Sequence, residues 1–216
     1  MPTFQNSPSG QVLELCDKSF LIDCGEGVQL TMRQLGVKTA RLYTVLISHL
    51  HGDHCFGLIG LISTLGMMNR VQPLHIFAHG DLEKLLRPML DYHCQDLPYE
   101  LIFHTINPRK REVIWEDRTV TIETIPLKHK VPTCGFLFTE KHRDQEPRKR
   151  YAYCSDTMYR EQIVDQIAGV DVLYHEATYT ENDADKCKKH THSTAKQAAQ
   201  IAHLAGAGKL VIGHFS

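Results

Sequence analysis

Residues 49–54 read HLHGDH, and this stretch constrains the fold more than any other part of the sequence. It places three imidazoles and one carboxylate directly after the apolar run TVLIS at 44–48. A continuous apolar run of this length is typical of a strand buried on both faces of a parallel sheet. Imidazole and carboxylate groups are ligands that transition metals prefer, so the stretch predicts a metal site at the end of a buried strand.

Other predicted strands also end in ligand-type residues. Asp156 follows YAYCS, His175 and Glu176 follow DVLY, His214 follows KLVIG, and His129 follows TIETIPLK. Strand and helix patterns alternate along the chain, which favours the α/β class. Because ligands bind beyond the carboxyl ends of the strands in open α/β sheets, we expect these side chains to converge at one edge.

The number of candidate ligands predicts two metal ions. One ion is satisfied by three or four ligands, whereas a set of seven suits two ions about 3.5–4 Å apart with a carboxylate between them. Zn²⁺ fits these donors, and Mn²⁺ or Fe²⁺ would accept the same set. Such a pair lowers the pKa of a shared water and assists phosphoryl transfer. The candidate ligands are His49, His51, Asp53, His54, His129, Asp156 and His214.

Hydrophobic periodicity outlines the elements. Strands are predicted at 11–15, 19–23, 44–48, 74–78, 101–106, 112–115, 119–125, 135–138, 151–154, 171–174 and 209–213. Helices are predicted at 28–35, 55–68, 82–90 after the cap candidate Asp81, between 154 and 171, and within 192–208. Ser193 or Thr194 would begin the last helix, and Gly206 or Gly208 would end it. Residues 139–150 read as a polar, charged loop.

Composition narrows the class of protein. The 216 residues show no repeat and no clear boundary, which predicts a single domain over 1–216. A net charge of −1 gives no overall basic surface for nucleic acid, so such contacts must come from a local patch or a metal. The polar start MPTFQNSPSG and the lack of an apolar run near 18 residues predict no membrane contact. Seven cysteines without a CxxC pair favour a reducing compartment and a cytoplasmic location.

HLHGDH has the HxHxDH form of the metallo-β-lactamase superfamily, which the chain resembles. That resemblance implies an αβ/βα four-layer sandwich with two mixed sheets. The stretches LIDCGEGVQ (21–29), HEAT (175–178), HST (192–194) and GHFS (213–216) are similar to those of ribonuclease Z, which removes 3′ trailers from precursor tRNA. KHKVPTCGFLF (128–138) is similar as well, with Phe136 where that family usually has Tyr.

The resemblance implies how the ligands divide between two zinc ions. His49, His51 and His129 would hold one ion, Asp53, His54 and His214 would hold the other, and Asp156 would bridge them.

The resemblance also implies a catalytic set. Asp53 would accept a proton from the attacking water, and Glu176 would pair with His192. His192 would then give a proton to the leaving ribose 3′-oxygen, because a carboxylate on one ring nitrogen fixes the tautomer. The resemblance assigns no role to His175, which would either support the site residues or pack as an ordinary core side chain. Precursor tRNA as substrate and a homodimer follow from the same resemblance.

The chain departs from that family's pattern in three places. It starts at the segment PTFQNSPSG, it stops at Ser216, and only 139–150 stand where the family inserts an arm that grips tRNA. A ligand at His214 would be poorly held so near an end, so we expect more chain to follow in nature. An armless homologue and a sequence lacking these segments both remain open.

Two other functions stay open at this stage. The missing arm favours a phosphodiesterase acting on small or cyclic nucleotides. A non-catalytic subunit that binds RNA or a partner is the other, although the presence of every expected ligand argues against it. The charge runs KCKKHTH (186–192) and RKR (148–150) would contact phosphates or form solvated faces.

Overall fold

The computed structural model describes residues 7–141 and 148–216. The chain divides into two compact units, residues 1–106 and 107–216, and each contains one mixed sheet. The assignment of one domain to residues 1–216 stays a prediction. Within the two described ranges, no helix is both long and apolar enough to cross a bilayer.

The first unit contains five strands, in the spatial order β1 (Gln11–Leu15), β2 (Lys18–Ile22), β3 (Leu42–Leu46), β4 (Leu74–Ala78) and β5 (Leu101–Thr105). β1 and β2 form the predicted antiparallel hairpin, and both turn residues, Cys16 and Asp17, have positive φ as a tight hairpin turn requires. β2 to β5 run parallel to one another. Their carboxyl ends therefore lie at the same edge of the sheet, where HLHGDH follows β3.

Helices pack against one face of this sheet. They are α1 (Val28–Gln34), α2 (Gly52–Cys55), α3 (Leu58–Met67) and α4 (Asp81–His93). Leu58, Leu61 and Leu65 of α3 recur at helical spacing, are buried, and share one core cluster with Val45 and Ile76 of the sheet. This burial fixes the start of α3 and, with it, the short α2 that carries part of HLHGDH.

The second unit contains six strands, in the spatial order β6 (Val113–Glu116), β7 (Val120–Pro126), β8 (Cys134–Glu140), β9 (Arg150–Cys154), β10 (Val172–Glu176) and β11 (Lys209–Gly213). β9, β10 and β11 are parallel, so Asp156, Glu176 and His214 come at the same edge.

The helices of this unit are α5 (Ala184–His190) and α6 (Ala195–Leu204). Thr194 begins α6 with the predicted capping box, in which Gln197 takes part, and Gly206 follows its end at φ 61°. Ile201 and Ala205 pack with Leu173 of β10 in the core of the unit. α6 is thereby seated on the face of the sheet opposite to the Glu176 side chain, since successive strand residues alternate between faces.

Several predictions about elements were wrong in detail. Asp81 does not cap α4, because it is the first helical residue and its carboxylate accepts a hydrogen bond from Lys84 instead. Pro88 lies inside α4, which continues to His93. Leu35 is exposed, so the buried stripe of α1 is limited to Val28 and Met32.

The second unit also differs from prediction. Only a 3₁₀ turn at Glu161–Ile163 stands where a helix was predicted between β9 and β10. β11 is an edge strand with half-exposed side chains, not a buried one. β8 extends to Glu140 and β9 starts at Arg150, so the predicted loop 139–150 is shorter at both ends, and its residues 142–147 lie outside the described residues.

Candidate metal centre

HLHGDH is a tight turn between β3 and α3. His49 and His54 are buried, whereas the Asp53 side chain remains 41% exposed. His49 Nε2 lies 3.0 Å from His51 Nδ1. Two nitrogens bound to one tetrahedral zinc at about 2.0–2.1 Å would be roughly 3.3 Å apart, so this pair fits a shared ion.

Asp23 organises the imidazoles of this turn, and its role was missed at the level of sequence. Its carboxylate accepts hydrogen bonds from His54 Nδ1 (2.8 Å), Ser48 N (2.7 Å) and Ser48 Oγ (2.9 Å). Ser48 Oγ in turn accepts from His49 Nδ1 at 3.0 Å, since its own hydrogen goes to Asp23. Both rings therefore carry their hydrogen on Nδ1, which makes Nε2 the accepting nitrogen of each ring. The stretch LIDCGEGVQ contains Asp23 but was used only for its resemblance, and no local signal in it indicates this contact.

The backbone around Asp23 approaches the turn closely. Cys24 N donates to His54 O at 2.7 Å, and Gly57 N donates to Cys24 O at 2.9 Å. A Cβ on Gly57 would lie 1.9 Å from Gly25 O, and a Cβ on Gly25 would lie 2.3 Å from Asp53 O. Glycine is required at both positions because any side chain would push the two segments apart.

In the second unit, Asp156 lies between two imidazoles. His214 Nε2 is 3.2 Å from its Oδ1, and His129 Nε2 is 3.6 Å from its Oδ2. His129 Nδ1 donates to the Thr191 carbonyl at 2.9 Å, so its hydrogen is on Nδ1 and its Nε2 is the accepting nitrogen. A carboxylate that presents one oxygen to each of two imidazoles has the arrangement that a bridging metal ligand needs.

Glu176 holds His192 through a saturated set of hydrogen bonds. Its carboxylate accepts from His192 Nδ1 (2.8 Å), Thr178 Oγ1 (2.6 Å) and Thr157 N (2.8 Å). Thr178 Oγ1 accepts from His214 Nδ1 at 3.0 Å, because its hydrogen is given to Glu176. Thr178 thus fixes the tautomer of His214 directly and supports that of His192 through Glu176. Thr178 belongs to the HEAT stretch, but its function was not predicted.

Residues of this centre are over-represented among those with strained backbone. Asp23, Asp156, Thr191 and His214 all have φ between 49° and 61°. The left-handed region is costly for residues with a side chain and is found most often at functional sites. The surrounding hydrogen bonds hold these turns in place.

The predicted residues are thus brought together within each unit. His49, His51 and His54 cluster with their neighbour Asp53, and ligand atoms of Asp156, His192 and His214 lie within 4.8 Å of one another. His129 is close to Asp156, as given above. His192 therefore lies beside Asp156 and His214 as well as beside Glu176.

His175 is not part of this arrangement. It is buried and lies opposite Cys154 of the neighbouring strand β9. Its Nδ1 donates to the Glu176 carbonyl at 2.7 Å. Burial lowers its pKa, so the ring stays neutral. Of the two open readings for His175, the structure favours packing.

The cysteine in the turn is not suited to be a ligand. Burial, with Asp23 and Asp53 nearby, raises the pKa of the Cys55 thiol to about 11. A metal ligand must be a thiolate, and Cys55 Sγ instead donates to the His51 carbonyl.

A basic group accompanies His192. Lys186, Lys189 and His190 belong to α5, the helix that precedes His192 in the sequence. Desolvation, with nearby Lys130, lowers the pKa of His190. Lys186 is paired with Asp183. The other charge run behaves differently, since Arg150 donates to the carbonyls of Ala168 and Gln166 and is structural.

Comparisons with known proteins agree on one family. A family model described as the beta-lactamase superfamily domain matches residues 18–215. Ribonuclease Z of Bacteroides fragilis (strain YCH46) is 44% identical over 259 residues, covering 100% of this chain and 85% of that protein. Ribonuclease Z of Phocaeicola vulgatus is 42% identical, covering 100% and 84%. The crystal structure of human tRNase Z, short form, has a TM-score of 0.87 at 28% identity and covers 97% of this chain and 86% of its own.

These matches confirm the predicted resemblance and the predicted α/β class with two mixed sheets. The region aligned with the Bacteroides protein, 259 residues, is longer than this chain of 216. That relative therefore carries residues inside the matched region that this chain lacks.

Proposed function

The chain belongs to the ribonuclease Z family of the metallo-β-lactamase superfamily, and from this premise we propose how its residues cleave precursor tRNA at the 3′ side of the discriminator base. The protein is a metal-dependent phosphodiester hydrolase of tRNA 3′ processing. The proposal concerns the metal ions, the catalytic residues and the way the substrate is held.

The observation that carries the proposal is the pairing of His192 with Glu176. The 2.8 Å bond from Nδ1 leaves His192 Nε2 as the only position that can exchange a proton. The buried carboxylate fixes the orientation of the ring, so Nε2 is the atom suited to protonate the leaving ribose 3′-oxygen. That carboxylate is itself held by Thr157 N and Thr178 Oγ1, so the position of the ring is fixed from behind.

We propose that the remaining set binds two zinc ions. Support comes from the chemistry of the donors, since His49, His54, His129 and His214 each donate from Nδ1 to a fixed acceptor, which makes Nε2 the electron-pair-donating nitrogen of each ring. When bound, such ions lower the pKa of a water and stabilise charge on the phosphate oxygens. His49, His51 and His129 would hold one ion, Asp53, His54 and His214 the other, and Asp156 would bridge.

Asp53 is proposed as the proton acceptor for the attacking water. It lies in the first turn of α2, and its side chain is 41% exposed whereas His49 and His54 are buried. Its Oδ2 is 3.7 Å from His54 Nε2, which places the carboxylate beside a ligand atom. A carboxylate so placed orients the water and receives its proton.

The substrate contacts proposed for this chain are local. Lys188, Lys189 and His190 are the basic residues in the last turn of α5, which ends two residues before His192 in sequence. Phosphate contacts of this kind position RNA without reading its sequence. They would account for tRNA binding by a chain with a net charge of −1.

The test is cleavage of a 3′-extended, 5′-end-labelled precursor tRNA, with zinc content measured on the same sample. We expect a cut directly after the discriminator base and about two zinc ions per chain. No cleavage, with intact hydrolysis of a chromogenic phosphodiester, would instead favour the small-substrate phosphodiesterase.

His192→Ala separates the proton donor from the metal ligands. We expect the variant to keep its zinc and to cleave roughly 10²–10⁴-fold more slowly, as loss of a general acid predicts. Asp53→Ala, by contrast, should lose zinc as well as activity. A His192→Ala protein that lost one zinc would show that His192 is a ligand.

We propose further that the protein is a cytoplasmic homodimer. α4 exposes Leu85, Met89 and Tyr92, which follow one another at helical spacing and form an apolar stripe suited to an interface. None of the seven cysteines, all within the described residues, forms a disulfide, which suits a reducing compartment. Light scattering of the zinc-loaded protein tests the dimer, and a monomer at micromolar concentration would contradict it.

A further inference from the structure

Phe56 presents an aromatic ring to solvent directly beside HLHGDH. The residue follows α2 and is 65% exposed, although both its neighbours, Cys55 and Gly57, are held in place. Cys55 is buried, and Gly57 donates to Cys24 O at 2.9 Å. The exposed ring is therefore mounted on a fixed backbone.

The ring is folded back over Gly52. A Cβ on Gly52 would lie 2.4 Å from Phe56 Cε2, 2.7 Å from Cδ2 and 2.8 Å from Cζ. The space that a side chain at position 52 would occupy is therefore filled by the ring. Phe56 N donates to Gly52 O at 2.9 Å and closes the turn. One side of the ring thus rests on the backbone between His51 and Asp53.

This geometry suits a nucleobase. A ring supported on one side and open on the other offers a flat apolar surface on which a base can stack. Stacking tolerates any base, because every base has a π-face, and it needs no hydrogen-bond partner. An exposed aliphatic side chain elsewhere, such as Leu35, offers neither the flat surface nor the position beside candidate ligands.

We propose that Phe56 is a positioning residue on which one of the two bases flanking the scissile phosphate stacks. The inference rests on the proposed function, because it places the phosphate at the HLHGDH ligands. A nucleotide whose phosphate is bound there carries its base to the side of the turn, where Phe56 holds it. The stacked base orients the phosphodiester for attack without a sequence requirement.

The experiment compares Phe56→Leu, Phe56→Trp and the control Leu35→Ala on one precursor tRNA. We expect Phe56→Leu to lower kcat/KM about 5- to 100-fold, mainly through KM, and Phe56→Trp to keep wild-type kinetics. Leu35→Ala removes an apolar group of similar exposure from the same unit and should change nothing. Zinc content is measured on each variant, so that a disturbed turn is recognised by loss of metal.

Two further substrates make the test specific. One lacks the discriminator base and the other lacks the first trailer base. If stacking is the role, wild type and Phe56→Leu should cleave one of these abasic substrates at similar rates, and that substrate identifies the stacked base. Equal losses on intact and on both abasic substrates, or no loss at all, would overturn the inference.

The remaining outcomes are also decisive. Unchanged kinetics with a dimer that dissociates in Phe56→Leu would assign the ring to a protein interface and overturn the inference. If the wild-type chain does not cleave the intact precursor, the proposed function fails first and the role of Phe56 falls with it.

Discussion

Replacing Asp23 by Asn is expected to disable one zinc site without unfolding the protein. The carboxylate is buried and accepts from His54 Nδ1, Ser48 N and Ser48 Oγ. In Asp23→Asn the amide oxygen can still accept from Ser48 N, but the NH₂ group would face His54. The ring would then accept at Nδ1 and carry its hydrogen on Nε2, which blocks the lone pair that a metal needs.

The magnitude follows from these contacts. Loss of a carboxylate behind a ligating histidine typically lowers metal affinity 10–100-fold. In Asp23→Asn the NH₂ group can donate to His54 Nδ1 but cannot accept from Ser48 Oγ, which loses its acceptor, so we expect a loss of about 1–3 kcal/mol in the free energy of unfolding. Asp23→Ala instead leaves Ser48 N and His54 Nδ1 unpaired, and each such group costs about 1–3 kcal/mol.

The assay is zinc competition with a chromogenic chelator, combined with urea unfolding of the metal-free protein. Asp17→Asn serves as the control, because it removes a carboxylate of the same charge from an exposed turn. We expect the zinc affinity of the site that holds His54 to fall in Asp23→Asn, and two unchanged affinities in the control. Two wild-type affinities in Asp23→Asn would refute the role given to Asp23.

Two further predictions concern backbone approach and pH. Gly57→Ala should destabilise the protein by about 1–3 kcal/mol or more, because its Cβ would lie 1.9 Å from Gly25 O. Gly60→Ala, whose Cβ would meet only the end of the Gln29 side chain, is the matched control; equal unfolding midpoints for the two variants would contradict the explanation. Burial lowers the pKa of His175 below its ordinary value of 6.5, so the unfolded chain binds a proton that the folded chain does not. Stability from this group is complete above about pH 6.5 and is lost as the pH falls towards the lowered pKa. His175→Leu should therefore reduce the loss of stability between about pH 7 and pH 5 in urea unfolding, and an unchanged pH dependence would show that His175 does not contribute.

Much of the site was predictable because its residues are close in sequence or come at strand ends. HLHGDH, the strand before it and the helix after it follow from local chemistry and hydrophobic periodicity. Asp156 and His214 could be placed at one edge because parallel strands end together. The capping box of Thr194 was equally local.

Contacts between distant segments could not be predicted in this way. Asp23 lies far from His54 in sequence, and nothing in LIDCGEGVQ by itself says that its carboxylate receives the hydrogen of that ring. The same is true of Thr178, which serves His214 from another element. The exposure of β11 depended on its place at the edge of the sheet, which the apolar run KLVIG does not reveal.

The sequence by itself determined the chemistry of this protein, since ligand types, their local spacing and the strand pattern are all properties of short segments. Only the tertiary structure decided which ring nitrogen donates to a protein acceptor, which face of β10 takes His175, and where the Phe56 ring rests. These outcomes depend on strand register and on the close approach of backbones, as at Gly25, Gly52 and Gly57. Register and close approach are set by the packing of many residues at once, so no single stretch encodes them.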